Sequence, residues 1–129
     1  MNAIKLVSGV VLLFSAVGCG GTSESPAEAC NKQYETECTR IYECYTPAAI
    51  AALGLPASES ACVTMEEAAQ GCSAKTEANF CVAGNAVYHG EAVDGCIAQL
   101  NGATCAEIMS SMDITVIAPK CAEVCVIPT

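Results

Sequence analysis

Cysteine is the residue type whose number and spacing in this chain could support chemistry. The 129 residues include eleven cysteines and one histidine. A zinc site or a dithiol redox centre needs a C-x2-C pair or histidines at ligand spacing, and the sequence contains neither. The closest pair, Cys121 and Cys125, is more typical of two anchors on one turn than of reactive thiols. The pattern therefore predicts no metal site and no cofactor.

The single histidine, His89, is the natural candidate for a hydrolase base. It lies in the segment AVYHGEAVDG, close in sequence to Tyr88, Glu91 and Asp94. Hydrolytic catalysis needs a nucleophile and a base that are held together. A loop histidine beside a glycine is more often an exposed bystander, so the sequence predicts a protein that is not an enzyme. A hydrolase that uses His89 stays as the weaker alternative.

The cysteine content is instead typical of a disulfide scaffold in an oxidising compartment. Two cysteines eight residues apart on one helix lie about 12 Å apart, which is beyond the reach of a bridge. Each cysteine on a helix must therefore pair with another element, and an antiparallel helical hairpin with nested bridges is the simplest arrangement. That arrangement predicts the pairs Cys44–Cys62, Cys38–Cys72 and Cys30–Cys81, followed by Cys96–Cys121 and Cys105–Cys125.

Hydrophobic periodicity predicts an all-α fold. Apolar residues recur at helical spacing over residues 28–45, and Thr46 followed by Pro47 is typical of a helix start. Further helices are predicted over residues 47–53, from Ser58 or Ser60 to residue 70, over 91–100 and over 104–111, with a short helical piece near Phe80. The fold class is a small disulfide-stapled bundle of four to five short helices.

The C-terminal segment is predicted to be irregular. The stretch ITVIAP, residues 114–119, is apolar and rich in β-branched residues, which favours an extended conformation. Because no second convincing strand is available to pair with it, we expect a buried extended segment that leads to a final turn over residues 120–126.

The amino terminus has the features of an export signal. Residues 1–18 carry one charge, Lys5, followed by an apolar run that is too short to cross a bilayer as a helix. The run ends at Cys19, and Gly20 and the small polar residues that follow predict a flexible tether over residues 19–28 before one domain over residues 29–129. Ordinary secretion is the alternative, because Ala16-Val17-Gly18 also satisfies the rule for a signal peptide without lipid.

The charge balance narrows the class of partner. After residue 18 the chain has four basic and fourteen acidic residues, hence a net charge of −10. Nucleic acids and anionic headgroups both require clustered Lys or Arg. The sequence therefore predicts no nucleic-acid partner and no adsorption to lipid headgroups through charge.

Two segments carry a resemblance to a known group of proteins. The segment Ser15-Ala16-Val17-Gly18-Cys19 resembles the bacterial lipoprotein cleavage box, although Ala16 stands where that family favours Leu. The run from Tyr88 to Cys121, with its cysteine-bearing helices and Pro-x-Cys ending, resembles the small cysteine-rich lipoproteins of myxobacteria and related deltaproteobacteria. The resemblance implies a lipid on the Cys19 thiol and a place in the cell envelope, with the outer membrane favoured.

The function expected from these observations is that of a non-catalytic envelope lipoprotein. Its helical domain would be structural or would bind a protein or small-molecule partner, with a lipid anchor as the contact to the membrane. A secreted, disulfide-rich inhibitor or effector is the alternative. Cysteine counting favours the first, because a lipid on Cys19 leaves an even number of cysteines to form bridges.

Overall fold

The computed structural model describes residues 23–111 and 113–129, so the predictions for residues 1–18 and for Cys19 lie outside the described residues. Its longer helices are α1 (Pro26–Cys44), α2 (Pro47–Ala52), α3 (Glu59–Gln70), α5 (Val93–Gly102) and α6 (Cys105–Ser110). Two four-residue helices, α4 (Glu77–Phe80) and α7 (Ile114–Ile117), and two strands, β1 (Val87–Tyr88) and β2 (Cys125–Val126), complete the elements, with 3-10 turns over Cys72–Ala74, Gly90–Ala92 and Pro119–Glu123. The predicted all-α, disulfide-stapled fold is confirmed, although this part of the chain holds seven helices rather than four to five.

The first helix begins two residues earlier than predicted. The hydroxyl of Ser25 accepts a hydrogen bond from the backbone N–H of Glu28, and the Glu28 carboxylate accepts one from the Ser25 N–H at 3.2 Å. This reciprocal capping box, with Pro26 at the first helical position, satisfies amide groups that have no partner within the helix. The Ser25 hydroxyl, which donates to the Glu28 carboxylate at 2.6 Å, and the Ser25 N–H both lower the pKa of the Glu28 carboxyl. Residues 25–28 thus belong to the domain rather than to a tether.

Three other predicted helix starts are present, whereas the helix predicted from residue 91 begins at Val93, after a 3-10 turn. Thr46 caps α2 with Pro47 at its first position, and of the two serines considered for α3 it is Ser58 that caps the helix. Gly71 ends α3 in the left-handed conformation, at φ 64°, which glycine adopts without steric cost. Thr104 forms the expected capping box of α6. Each of these boundaries follows from local hydrogen bonding, which is why sequence reasoning finds it.

The prediction of an extended segment at residues 114–119 is wrong. Ile114 to Ile117 form α7, because the Asp113 carboxylate caps the helix by accepting a hydrogen bond from the Thr115 N–H at 2.9 Å. Pro119 then opens a 3-10 turn. The cap and the packing of Ile114 and Ile117 on the core outweigh the preference of β-branched residues for strands.

A short antiparallel ribbon was not predicted. Strand β1 pairs with β2, with Val87 opposite Val126 and Tyr88 opposite Cys125. The His89 N–H extends the pairing by donating to the Val124 carbonyl oxygen at 2.8 Å. A ribbon of two residues a side leaves no periodicity in the sequence, and it is stable here because the Cys81–Cys125 bridge holds it against the preceding loop.

Two clusters form the core, and α1 contacts the elements of both. Ala29, Val93, Cys96 and Val124 make the first cluster; Leu100, Ala103, Ile108 and Ala118 make the second. On α5 the buried residues are Val93, Cys96 and Leu100. On α3 only Cys62 is buried, and Met65 is 40% exposed. The Cys38–Cys62 bridge joins α3 to α1, and Cys72 in the 3-10 turn that follows α3 pairs with Cys30 on α1.

Four of the five disulfides expected from the sequence are wrong. Cys30, Cys38, Cys44 and Cys81 pair with other cysteines than expected, whereas Cys96–Cys121 is the same in both. The bridges are Cys30–Cys72, Cys38–Cys62, Cys44–Cys105, Cys81–Cys125 and Cys96–Cys121. The expected bridges Cys44–Cys62, Cys38–Cys72, Cys30–Cys81 and Cys105–Cys125 do not form.

Helix geometry explains the correction. The expected register would match Cys38 and Cys44, about 9 Å apart along α1, with Cys62 and Cys72, about 15 Å apart on a continuous helix. The observed register matches that second spacing with Cys30 and Cys38, about 12 Å apart. Because α2 and its loop lie between α1 and α3, Cys44 at the end of α1 meets the first residue of α6 instead.

Candidate functional site

Residues 23 and 24 are docked on the segment that contains the histidine; we call this pair of residues the strap. The Glu24 N–H donates to the Gly90 carbonyl oxygen at 3.3 Å, and the Tyr88 hydroxyl donates to the Glu24 carbonyl oxygen at 2.8 Å. Gly90 is buried beneath the strap: a Cβ there would lie 2.6 Å from the Ser23 hydroxyl oxygen and still closer to the Glu24 carbonyl oxygen. Glycine at residue 90 is therefore what allows the strap to lie against the domain.

Ion pairs also hold the strap, through the side chain of Glu24. The Glu24 carboxylate, 17% exposed, pairs with the Lys32 ammonium on α1, which also contacts the Asp94 carboxylate at 3.2 Å. These two acceptors raise the pKa of Lys32, with Glu24 as the larger cause. Burial, helped by the negative charge of Glu24, raises the pKa of Tyr88 to about 12. Tyr88 is therefore a hydrogen-bond donor at any physiological pH.

The structure brings together only part of the histidine group that the sequence singles out. His89 Nδ1 lies 2.9 Å from a carboxylate oxygen of Glu91, and both side chains are exposed to solvent. Asp94 binds Lys32 and Tyr88 binds the strap, so neither of them supports His89. In residues 23–111 and 113–129, no hydroxyl hydrogen-bonds His89, and every cysteine is in a disulfide. The segment from Tyr88 to Asp94 thus holds the strap in place.

An apolar crevice lies at the other end of α1. Its walls come from α1, the turn after α2, and helices α5, α6 and α7, with Ile41, Leu53, Leu100, Ile108, Ile114 and Ile117 as the apolar lining. The cavity volume is about 90 Å³. Sites for drug-sized ligands are about 300–1,000 Å³, so this crevice admits a side chain or a few solvent molecules rather than a substrate.

Arg40 forms the polar edge of the crevice. Its guanidinium donates to the Ala103 carbonyl oxygen between α5 and α6 and pairs with the Glu43 carboxylate, while Nε is buried without a hydrogen-bond partner among the described residues. Arg40 thus joins α1 to the α5–α6 turn close to the Cys44–Cys105 bridge. Sequence reasoning missed this role, because nothing in the spacing of a single arginine indicates that its side chain is folded inward.

Glu37, one helical turn before Ile41, is a half-buried carboxyl in the same crevice. Burial raises its pKa, and the nearby Glu66 raises it further, while a hydrogen bond from Gln33 at 2.7 Å partly offsets both effects. Glu66 is itself half-buried against α1. Two carboxylates of like charge therefore lie close together where α1 packs on α3.

The Glu37→Gln variant is expected to be more stable than the native protein at neutral pH. Because the pKa of Glu37 is higher in the folded chain than in the unfolded chain, the folded state binds more protons between the two values, and stability falls as pH rises through that window. Glutamine removes the buried charge and keeps an oxygen to accept from Gln33.

Guanidinium denaturation at several pH values measures this effect. The gain should be present near pH 7 and should vanish below about pH 4, where the carboxyl is protonated in both states. The exposed Glu35→Gln is the matched control for the change in net charge. An equal gain in both variants, or a gain that persists in acid, would show that burial of Glu37 is not its cause.

A second, more open groove of about 380 Å³ runs between the first half of α1 and the loop before the ribbon. Tyr34, Phe80, Val82 and Ile127 are among its lining residues, with Lys75 as a cation at its edge. Val82 is 99% exposed and Ile127 is 54% exposed. Apolar side chains exposed side by side are typical of interaction surfaces. The volume of this groove lies in the range of ligand sites.

The described residues contain neither a candidate metal site nor a membrane-spanning helix. Within residues 23–111 and 113–129, no three His, Cys, Asp or Glu side chains are grouped so as to hold a metal ion. None of the helices in that part of the chain is both long enough and apolar enough to cross a bilayer. Comparisons with models of protein families, with curated proteins and with solved structures found no match.

Proposed function

We propose that this protein is an exported, lipid-anchored protein of the bacterial cell envelope whose disulfide-rich helical domain is non-catalytic and serves a structural or binding role. The proposal extends the resemblance to small cysteine-rich lipoproteins, with the outer membrane as the favoured location. The signal peptide is residues 1–18, and the lipid is carried by Cys19. The membrane is then the first partner of the protein, through the anchor, and a protein or a small molecule is the second.

The observation that carries the proposal is the pairing of the cysteines. The ten cysteines after residue 19 pair with one another in five bridges. No cysteine of the chain is then left for Cys19 to pair with. An eleventh thiol in an oxidising compartment would be a liability, whereas a thiol that forms a thioether with a diacylglyceryl group would not. Cys19 also directly follows the apolar run, where lipoproteins are cleaved.

The non-catalytic part of the proposal is supported by the absence of a nucleophile beside His89 in the described residues. Five bridges and few large aromatic residues are typical of a domain whose stability comes from covalent staples. Such a domain keeps its shape outside the cell without a large core, which suits a display or binding role.

Intact mass of the protein purified from its native membrane tests this proposal. We expect a chain that begins at Cys19, carries diacylglyceryl and has five disulfides. The Cys19→Ser variant should lose the lipid mass and leave the membrane fraction, whereas Ser23→Ala, in the same segment, should stay with the membrane. An unmodified Cys19 in a mature chain would overturn the lipid anchor and favour the secreted inhibitor or effector.

A further inference from the structure

The strap makes the connection between Cys19 and the domain short. The sequence alone predicts a tether that ends at Glu28, which would place the domain up to about 30 Å from the anchor. Because Ser23 is already docked beside Gly90, only three residues, 20–22, separate it from Cys19. Four Cα-to-Cα steps reach at most about 14 Å. The docked strap therefore halves the range over which the domain can move.

The strap also selects one end of the domain. Glu24 is held by Gly90, Tyr88 and Lys32, and α1 begins two residues later at Pro26. From there α1 runs for 19 residues, which is about 28 Å. Helix α2 and Leu53 follow its far end. A lipid on Cys19 can therefore bring the strap end to the membrane surface while α2 lies about one helix length away.

Charge disfavours the alternative in which α1 lies flat on the bilayer. The chain after residue 18 has a net charge of −10, and two of its four basic residues are in ion pairs, Lys32 with Glu24 and Asp94, and Arg40 with Glu43. Bilayers with anionic headgroups repel such a surface within about 8 Å at physiological salt. The strap end also carries exposed carboxylates, those of Glu91 and Asp94, so the tether must hold it at the surface against this repulsion.

We propose that the strap, Ser23 and Glu24 docked on Tyr88 and Gly90, makes the Tyr88–Asp94 end of the domain its lipid-facing surface and directs α2 and the apolar crevice away from the membrane. This inference rests on the proposed lipid anchor at Cys19. The partner is a lipid surface. The short tether, rather than attraction to the headgroups, keeps this end of the domain close to it. The docking of the strap requires glycine at residue 90, because a Cβ there would collide with Ser23 and Glu24.

The test measures which end of the domain lies near the headgroups. The chain from Cys19 onward is folded and coupled through the Cys19 thiol to a maleimide phospholipid, since the other ten cysteines are in disulfides. It is placed in nanodiscs of phosphatidylcholine and phosphatidylglycerol with some headgroups carrying chelated gadolinium. Amide signals in NMR spectra report proximity, because gadolinium attenuates them steeply with decreasing distance. We expect strong loss of signal at Glu91 and little loss at Leu53.

Two variants distinguish the effect of the docked strap from the effect of the lipid anchor. Gly90→Val should displace the strap and weaken the loss at Glu91, as should a Gly-Ser insertion between residues 21 and 22, which lengthens the tether without touching the strap. Gly84→Val is the matched control, because a Cβ on Gly84 meets no atom within 4 Å. If Gly90→Val does not fold, Tyr88→Phe removes only the hydroxyl that binds Glu24 and should give a smaller weakening.

Equal attenuation at Glu91 and Leu53 in the native sequence would overturn the orientation, and an unchanged pattern in both Gly90→Val and Tyr88→Phe would overturn the role of the strap. Neither result bears on whether cells attach lipid to Cys19, because the coupling is chemical. Conversely, an unmodified Cys19 in the native mass measurement removes the anchor and leaves the docked strap as it is. The two proposals therefore fail separately.

Discussion

The double variant Cys38→Ala/Cys62→Ala is expected to lose about 3–4 kcal/mol of unfolding free energy and to keep four intact disulfides. The two sulfurs join α1 to α3 across a separation of 24 residues, and both cysteines are 1% exposed. Chain-entropy arguments assign about that free energy to a loop of this length, through the disorder that the unfolded chain regains. Because α3 buries no other residue, loss of this bridge should also loosen that helix.

The matched control is the double variant Cys44→Ala/Cys62→Ala, which removes the pair that sequence reasoning expects. In the observed connectivity these residues belong to different bridges, so Cys38 and Cys105 are left as thiols. Apart from the Cys19 thiol, thiol titration under denaturing conditions should find none in Cys38→Ala/Cys62→Ala and two in the control, with guanidinium denaturation giving the stabilities. The reverse thiol counts would contradict the pairing described above.

Leu100→Ala is expected to cost about 2–5 kcal/mol of unfolding free energy, the usual range for truncating a fully buried leucine. Leu100 is 2% exposed. It belongs to the second core cluster, together with Ile108 and Ala118, and it also lines the crevice. This cluster joins α5, α6 and the C-terminal turn, and in an alanine-rich domain few side chains are large enough to replace the lost contacts.

Leu53→Ala is the control for this substitution, because it deletes the same atoms from a side chain that is 44% exposed at the rim of the same crevice. It should cost less than about 1 kcal/mol, since surface truncations seldom change stability much. Thermal or guanidinium denaturation with all bridges intact gives both values. Similar losses in the two variants would mean that the second cluster is not the packing centre that its burial indicates.

The helices could be predicted because their signals are local. Ser58, Thr46 and Thr104 mark helix starts by hydrogen bonds that span three residues, and Gly71 marks a helix end by its own backbone conformation. The start of α1 has the same kind of signal: Ser25 and Glu28 form a capping box, with Pro26 between them, that the Gly- and Ser-rich composition of the preceding segment concealed.

What could not be predicted depends on residues far apart in the sequence. The bridge from Cys44 to Cys105 spans 61 residues and depends on how α6 packs, and nothing near Cys44 indicates it. The same holds for the ribbon, for the inward fold of Arg40 and for the docking of Glu24 on Gly90, a contact between residues 66 positions apart. At α7 the local signals conflicted, because composition favoured a strand and the Asp113 cap favoured a helix.

The connectivity of the bridges also determines what a broken backbone would do. The turn at Val82 to Asn85 is exposed and is a natural place for a protease to cut. Such a cut separates the chain into two fragments, but Cys44–Cys105 and Cys81–Cys125 both cross between them. The remaining bridges lie within one fragment or the other. A molecule nicked there would therefore remain one covalent particle, with its ribbon and its longest helix still joined.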